Sequence, residues 1–231
     1  MDLVDTIVAC RKCPRLVAYR EQVARIKKHA YMDWVYWGKP VPGFGDLQAR
    51  VLVVGLAPGA HGSNRTGRMF TGDSSGVFLY RALHRAGFAN QPTSLDRDDR
   101  LALHDMFISA VCRCAPPGNK PSPSEINKCL PYLEQEIGLL KCIHCVVALG
   151  RVAFDNVIRL YQSMDKPASA PMTRLPTTPK DFKHGASYRL GEGLPWLVAS
   201  YHPSRQNTQT GRLTEAMFDD VWIKAKECLM S

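Results

Sequence analysis

Four short apolar runs constrain this chain more than any other feature: Val51–Gly55, 106–111, Cys145–Leu149 and Trp196–Ser200. Each is strand-sized, and each leads through a loop into a segment with helical periodicity. Strand followed by helix, four times over, predicts an α/β three-layer sandwich. Its four-stranded parallel sheet carries helices on both faces, joined by right-handed crossovers. Such sheets bind ligands outside the carboxyl ends of their strands. Three of these ends carry unusual loops, 55–73, 112–122 and 200–212, which are expected to converge on one site.

The helices are read from their periods and stops. Residues 15–29 set Leu16, Tyr19, Val23 and Ile26 on one face, with Arg15, Arg20, Arg25, Lys27 and Lys28 mostly on the other. Ser74 is the expected cap of a second helix that carries Leu79 and Leu83 and stops at Gly87. Ser122-Pro123-Ser124-Glu125 is a capping box with proline in the first turn, opening a helix that Pro131 should bend or stop. Further helices are expected over 151–162 and 214–229. Residues 31–50 look irregular, and the proline-rich stretch 163–187 reads as a loop or insertion. No repeat or low-complexity tract interrupts the chain, so 1–231 is expected to be a single domain with an N-terminal turn at 10–13.

Charge and cysteines narrow the function. Thirty Lys and Arg against 21 Asp and Glu leave a net charge of +9, which suits a polyanionic partner. No apolar run approaches the ~18–20 residues that span a bilayer. The opening Met1-Asp2-Leu3-Val4-Asp5 is acidic where a signal peptide is basic. The expectation is a cytoplasmic protein without a membrane partner. Eight cysteines permit a disulfide framework, but that solution belongs to short secreted chains. Metal binding by reduced thiols is the better reading. Cys10-x-x-Cys13 can turn two thiolates onto one site, and Pro14 follows at once, as in iron–sulfur ligand runs. Cys142-x-x-Cys145 runs directly into an apolar strand and reads as part of its entry.

The loop 55–73 carries five glycines, which let backbone N–H groups approach a ligand closely. It is neither a GxxxxGK[ST] phosphate loop nor a GxGxxG dinucleotide loop. Phe70, beside Arg65 and Arg68, suits stacking on a planar base next to phosphates. Asp73 is the loop's only carboxylate; it can orient a water or offset positive charge on a sugar, or simply enter the next helix. His202 directly follows a strand, with Pro203 fixing the turn, and is a candidate electrophile or acid.

Taken together, GLAPGAHGSNRTGRMFTGD at 55–73, CAPPGNKPSPSE at 114–125 and HPSRQN at 202–207 resemble the uracil-DNA glycosylase superfamily. Within it, the chain is most similar to the type-5 iron–sulfur enzymes. The resemblance implies a [4Fe–4S] cluster on Cys10, Cys13, Cys114 and Cys129, with Cys112 as a rival to Cys114 and a four-thiolate zinc site as the physical alternative. It implies excision of uracil from DNA, with the base flipped into a pocket and the split charge of the transition state stabilised electrostatically. His202 would hydrogen-bond the uracil carbonyl that gains charge. Gly59, Ala60 and the amide of Asn119 would contact the base, Phe70 would stack on it, and Asp73 would position water. Asn64, Arg65, Arg68, Ser204, Arg205, Gln206 and Asn207 would face the DNA, the last four entering the duplex, with salt-dependent affinity.

Two departures qualify the resemblance. Leu56-Ala57 stands where most relatives carry an acid or amide that activates water, which is the type-5 pattern and leaves Asp73 as the candidate. Ser109 stands where type-4 relatives carry an asparagine that pairs with uracil. A serine cannot make the paired contact that an amide makes to one face of uracil, so base selectivity is expected to loosen toward other deaminated bases such as hypoxanthine. The expected partner is DNA carrying uracil or another deaminated base, met by a monomer. The competing readings are a non-catalytic iron–sulfur DNA-binding protein with a degenerate site, and a zinc-stabilised nucleotide hydrolase.

Overall fold

All four apolar runs form strands. The structure, a computed structural model, describes residues 2–164 and 181–230. Two helices come first, α1 (Leu3–Val8) and α2 (Pro14–Ile26), the latter started by Pro14, whose fixed φ suits a first turn. Then follow β1 (Phe44–Gly45), β2 (Val51–Gly55), the single turn α3 (Ser63–Thr66), α4 (Ser74–Arg85), β3 (Met106–Ala110) and α5 (Pro123–Leu139). The chain continues through β4 (Cys145–Leu149), α6 (Arg151–Met164), β5 (Ser187–Arg189), β6 (Trp196–Ser200), α7 (Arg205–Gln209) and α8 (Glu215–Cys228).

Six strands form one sheet in the order β1-β3-β2-β4-β6-β5. The central four are parallel, in register from Val51 opposite Met106 and Cys145. The expected four-stranded parallel sheet is therefore its centre, extended by two short antiparallel edge strands. Two or three residues show no alternation, so neither edge is visible as a period. Beta-1 lies inside the stretch read as irregular, and β5 begins at the end of the expected 163–187 insertion. Of that insertion, residues 165–180 lie outside the described residues.

Every residue of β2, β3 and β4 is buried, which is why these strands read as unbroken apolar runs. One face packs Val51, Val53, Ile108, Val147 and Val198 against Leu79 and Leu83 of α4 and Phe218 and Trp222 of α8. The other packs Leu52, Val54, Phe107, Val146 and Leu197 against α5 and α6 through Leu133, Ile137, Phe154 and Val157.

Two helix expectations change. Asp73, not Ser74, caps α4: its side chain accepts the N–H of Gly76. Helix α5 runs through Pro131 to Leu139, because burial of Leu130, Leu133 and Ile137 outweighs the one backbone hydrogen bond the proline lacks. Its start is the expected capping box, with Ser122 and Glu125 bonding each other's peptide N–H. Among the described residues no helix is long and apolar enough to cross a membrane.

Candidate active site

The order β3-β2-β4 reverses direction at β2, the kind of switch point where open α/β sheets bind ligands. There the loops after β2, β3 and β6 enclose a cavity of about 850 Å³, lined among others by Gly59, Ala60, Phe70, Asp73, Asn119 and His202.

Each of these residues is set by its local chain. Phe70 takes a left-handed φ of 51° and lays its ring across the end of β2, where a Cβ on Gly55 would lie 2.7 Å from the ring. The Phe70 and His202 rings stand 5.8 Å apart, tilted by 31°. His202 follows β6 directly, and Asn207 Nδ2 donates to its carbonyl at 2.8 Å. Burial pushes the His202 imidazole down to about 4, so it is neutral at physiological pH and offers one donor and one acceptor. Asn119 has φ of 57° at the tip of an exposed turn, a conformation asparagine tolerates.

Asp73 lies in the hollow of the glycine loop. Oδ1 accepts the Gly76 N–H at 2.9 Å, and Oδ2 rests against Gly59 and Gly62, where side chains would collide with it. Burial raises the Asp73 pKa, opposed by the N–H groups of Gly76 and Ser75 and by the charge of Arg65. Burial prevails, so the Asp73 carboxyl is held at the cavity wall with its pKa above the ordinary carboxylate value.

Several expected site residues lie elsewhere. Ser109 is fully buried in β3 and donates to Glu136 Oε2 at 2.6 Å, so it does not line the cavity, and a selectivity argument based on its side chain has no contact to act through. Arg65 and Arg68, expected on phosphates, are 3% and 5% exposed. Arg65 donates to the carbonyls of His61 and Gly72 at 2.8 and 2.7 Å, and its guanidinium lies 4.0 Å from the ring centres of both Tyr31 and Trp34. Arg68 pairs with the half-buried Asp99 at 2.8 Å. Asn64 is buried and donates to the carbonyls of Arg20 and Ala60. These three hold the loop's shape; the sequence placed them beside a ligand loop without revealing that they turn inward. Asn207 supports His202, whereas Arg205 and Gln206 of α7 are exposed at the cavity rim, with Ser204 capping their helix.

Sequence reasoning missed Lys28, Tyr31 and His61, which line the cavity. His61 Nδ1 lies 3.0 Å from the Tyr36 hydroxyl, and burial lowers its pKa, helped by Lys28 and Arg65. His61 sits within the quoted motif, but nothing in the sequence links residues 28–36 to the loop.

The family model described as "Uracil DNA glycosylase superfamily" matches residues 42–226. The chain belongs to the uracil-DNA glycosylase superfamily. It is 51% identical over 223 residues to the type-5 uracil-DNA glycosylase of Thermus thermophilus, covering 96% of this chain and 95% of the relative. The type-5 uracil-DNA glycosylase of Pyrobaculum aerophilum is 42% identical over 224 residues, 97% of this chain and 91% of its own. A type-4 uracil-DNA glycosylase of the same organism is 34% identical over 159 residues, covering 68% and 64%.

A second cavity of this superfamily member is lined by Cys10, Cys13, Cys114 and Cys129, together with Arg113 and Tyr132. Cys112 is absent from that lining; its neighbouring thiol draws the Cys129 thiol below its ordinary pKa. Burial pushes Cys114 up to about 12, opposed by Arg20. Arg20 Nη1 donates to Cys114 Sγ at 2.8 Å, and the Arg113 N–H donates to Cys129 Sγ at 3.2 Å. Both guanidinium groups are buried, and Nε of each has no hydrogen-bond partner. The Arg113 guanidinium pairs with Glu136 at 2.6 Å, whereas the buried Arg20 guanidinium aimed at Cys114 and the Arg113 N–H aimed at Cys129 suit a donor set that is anionic when metal-bound. Among the described residues, no three His, Cys, Asp or Glu side chains converge as a ligand group for a metal ion.

Proposed function

We propose that this superfamily member releases uracil from DNA by hydrolysing the bond between base and deoxyribose, leaving an abasic site. The convergence of Asp73, Asn119, Phe70 and His202 on one cavity carries the reading. A base in a duplex is out of reach of such a cavity, so the target nucleotide rotates out of the stack and enters it. Phe70 stacks on the base, and the Asn119 amide and the backbone at Gly59 and Ala60 hydrogen-bond its edge.

The glycosidic bond breaks with its electron pair on uracil, leaving positive charge on the sugar. Neutral His202 donates to the uracil carbonyl that gains charge. A donor preset for the transition state is typically worth ~10²–10³ in rate. The Asp73 carboxylate offsets the sugar charge and orients the water that adds to the sugar carbon. Arg205, Gln206 and Ser204 meet the strand at the gap the base leaves, and the surplus of positive charge holds the phosphates. The cavity is in the size range of ordinary small-molecule sites and does not exclude a purine, so we extend the substrate range to hypoxanthine. We read the working unit as a monomer, since one chain supplies every residue named, in a cytoplasm that keeps thiols reduced.

We assign a [4Fe–4S] cluster to Cys10, Cys13, Cys114 and Cys129. An all-thiol donor set served by Arg20 and the Arg113 N–H supports it. When bound, the cluster would cross-link the N-terminal turn, the loop after β3 and α5 through iron–sulfur bonds. No chemical step in the base cavity passes through it.

The test is incubation with duplexes carrying uracil, hypoxanthine or xanthine, followed by alkali to cut abasic sites. Cleavage at uracil is the expected result. Tight duplex binding with no base release would favour the non-catalytic alternative.

A further inference from the structure

Residues 181–186, which no step above uses, lie against the strand end that carries His202. Phe182 packs edge-on to Phe154 of α6, with ring centres 5.5 Å apart, and 5.9 Å from the ring of Tyr201. The Gly185 N–H donates to the Ala199 carbonyl at 2.7 Å, and the Ala199 N–H returns to Ala186 at 2.9 Å. Lys224 of α8 donates to the Gly185 carbonyl.

His184 stands at the centre of these contacts. Its ring is stacked on that of Tyr201, centres 4.8 Å apart and planes 9° from parallel. The Tyr201 N–H donates to His184 Nδ1 at 3.0 Å. A ring nitrogen that accepts carries no proton, so the other carries it. Burial lowers the His184 pKa, opposed by the Met217 backbone in α8. The backbone entering the cavity thus has four ties: Ser200 Oγ to the Tyr201 carbonyl, Asn207 to the His202 carbonyl, Tyr201 N–H to His184, and Gly150 N–H to the Ser200 carbonyl at 2.7 Å. The first two come from within a few residues. His184 and Gly150 come from separate segments, and His184 alone of the two also stacks on the Tyr201 ring.

We propose that His184 is a positioning residue for His202: by accepting the Tyr201 N–H and stacking on the Tyr201 ring it fixes, together with Gly150, the peptide that aims the His202 imidazole into the cavity. It touches no base and no sugar. The inference rests on the glycosylase reading only in what His202 does once it is aimed. A catalytic group misplaced by ~1 Å can cost ~10²-fold, so a tie of this kind falls within the measurable range.

The test uses the full chain with two substitutions. His184→Phe keeps the ring on Tyr201 and removes the hydrogen bond to the Tyr201 N–H; His184→Asn restores an acceptor to it. Single-turnover excision from a uracil duplex, duplex affinity, thermal melting and the ring nitrogen resonances of His202 are measured for both. His184→Phe is expected to slow excision ~10- to 100-fold at unchanged duplex affinity and to shift the His202 resonances. His184→Asn is expected to recover most of both. A His184→Phe protein whose His202 resonances stay in place overturns the proposal, whatever its melting temperature. So does one whose excision falls only in proportion to its folded fraction. If the unaltered protein releases no uracil, the glycosylase reading fails, and the His202 resonances still decide the positioning claim.

Discussion

Asp73 caps α4 with one carboxylate oxygen and presses the other against Gly62, where a Cβ would overlap it. One side chain thus serves the helix and the cavity at once. Substituting Asp73→Asn keeps a good capping residue and removes the charge. Thermal stability should stay close to that of the unaltered protein, while single-turnover excision falls ~10²-fold or more. Asp73→Ala should lose the same activity and about 1 kcal/mol of stability besides.

Gly62→Ala tests the same contact from the other side. The added methyl and the carboxylate cannot share the space, so Asp73 must move. Excision should fall ~10²-fold with duplex affinity unchanged, measured in single turnover and by titration of a uracil-free duplex. Retained activity would remove Asp73 from its assigned place.

Arg65 and Arg205 are expected to differ in how salt reads them. Arg65 is buried between Tyr31 and Trp34, so Arg65→Lys should lower the melting temperature and leave the salt dependence of duplex binding unchanged. Arg205 is exposed at the rim, so Arg205→Gln should weaken binding and flatten the plot of log affinity against log salt by about one unit of slope.

His202 gives a stability signal separate from activity. Its pKa falls from 6.5 to about 4 on burial, so on acidification the unfolded chain takes up this proton before the folded one. The stability tied to it is complete above about pH 6.5 and is lost as pH falls toward 4. In His202→Asn the drop in denaturant midpoint between these two pH values should be smaller than in the unaltered protein.

The cysteine cavity predicts composition. Anaerobically purified protein should carry ~4 iron atoms and ~4 inorganic sulfides per chain, both lost together in Cys13→Ser. Zinc without sulfide would replace the cluster with a four-thiolate ion site.

The sheet centre was legible because its strands are buried on both faces, so Val51–Gly55 and Cys145–Leu149 read as apolar runs without needing a period. The edge strands were not, since Phe44–Gly45 and Ser187–Arg189 are held by neighbours rather than by their own pattern. At the site, glycine spacing marked the loop, Asp73 stood out as its only carboxylate, and a strand end marked His202. Direction was the hidden quantity. Arg65 and Arg68 have the composition of a phosphate grip, yet their partners, the carbonyls of His61 and Gly72 for one and Asp99 for the other, draw them inside. Ser109 turns to Glu136, a residue 27 positions away that no local signal connects to it.

Arg20 reaches Cys114 with its side chain and holds Asn64 with its carbonyl, and Asn64 in turn reaches Ala60 in the base cavity wall. A single residue of α2 is therefore shared by two sites that otherwise draw on different loops. Disturbances at those sites are thermodynamically coupled through it. In a double-mutant cycle, Cys114→Ser and Asn64→Ala should depart from additivity by more than the ~0.3–0.5 kcal/mol typical of independent positions.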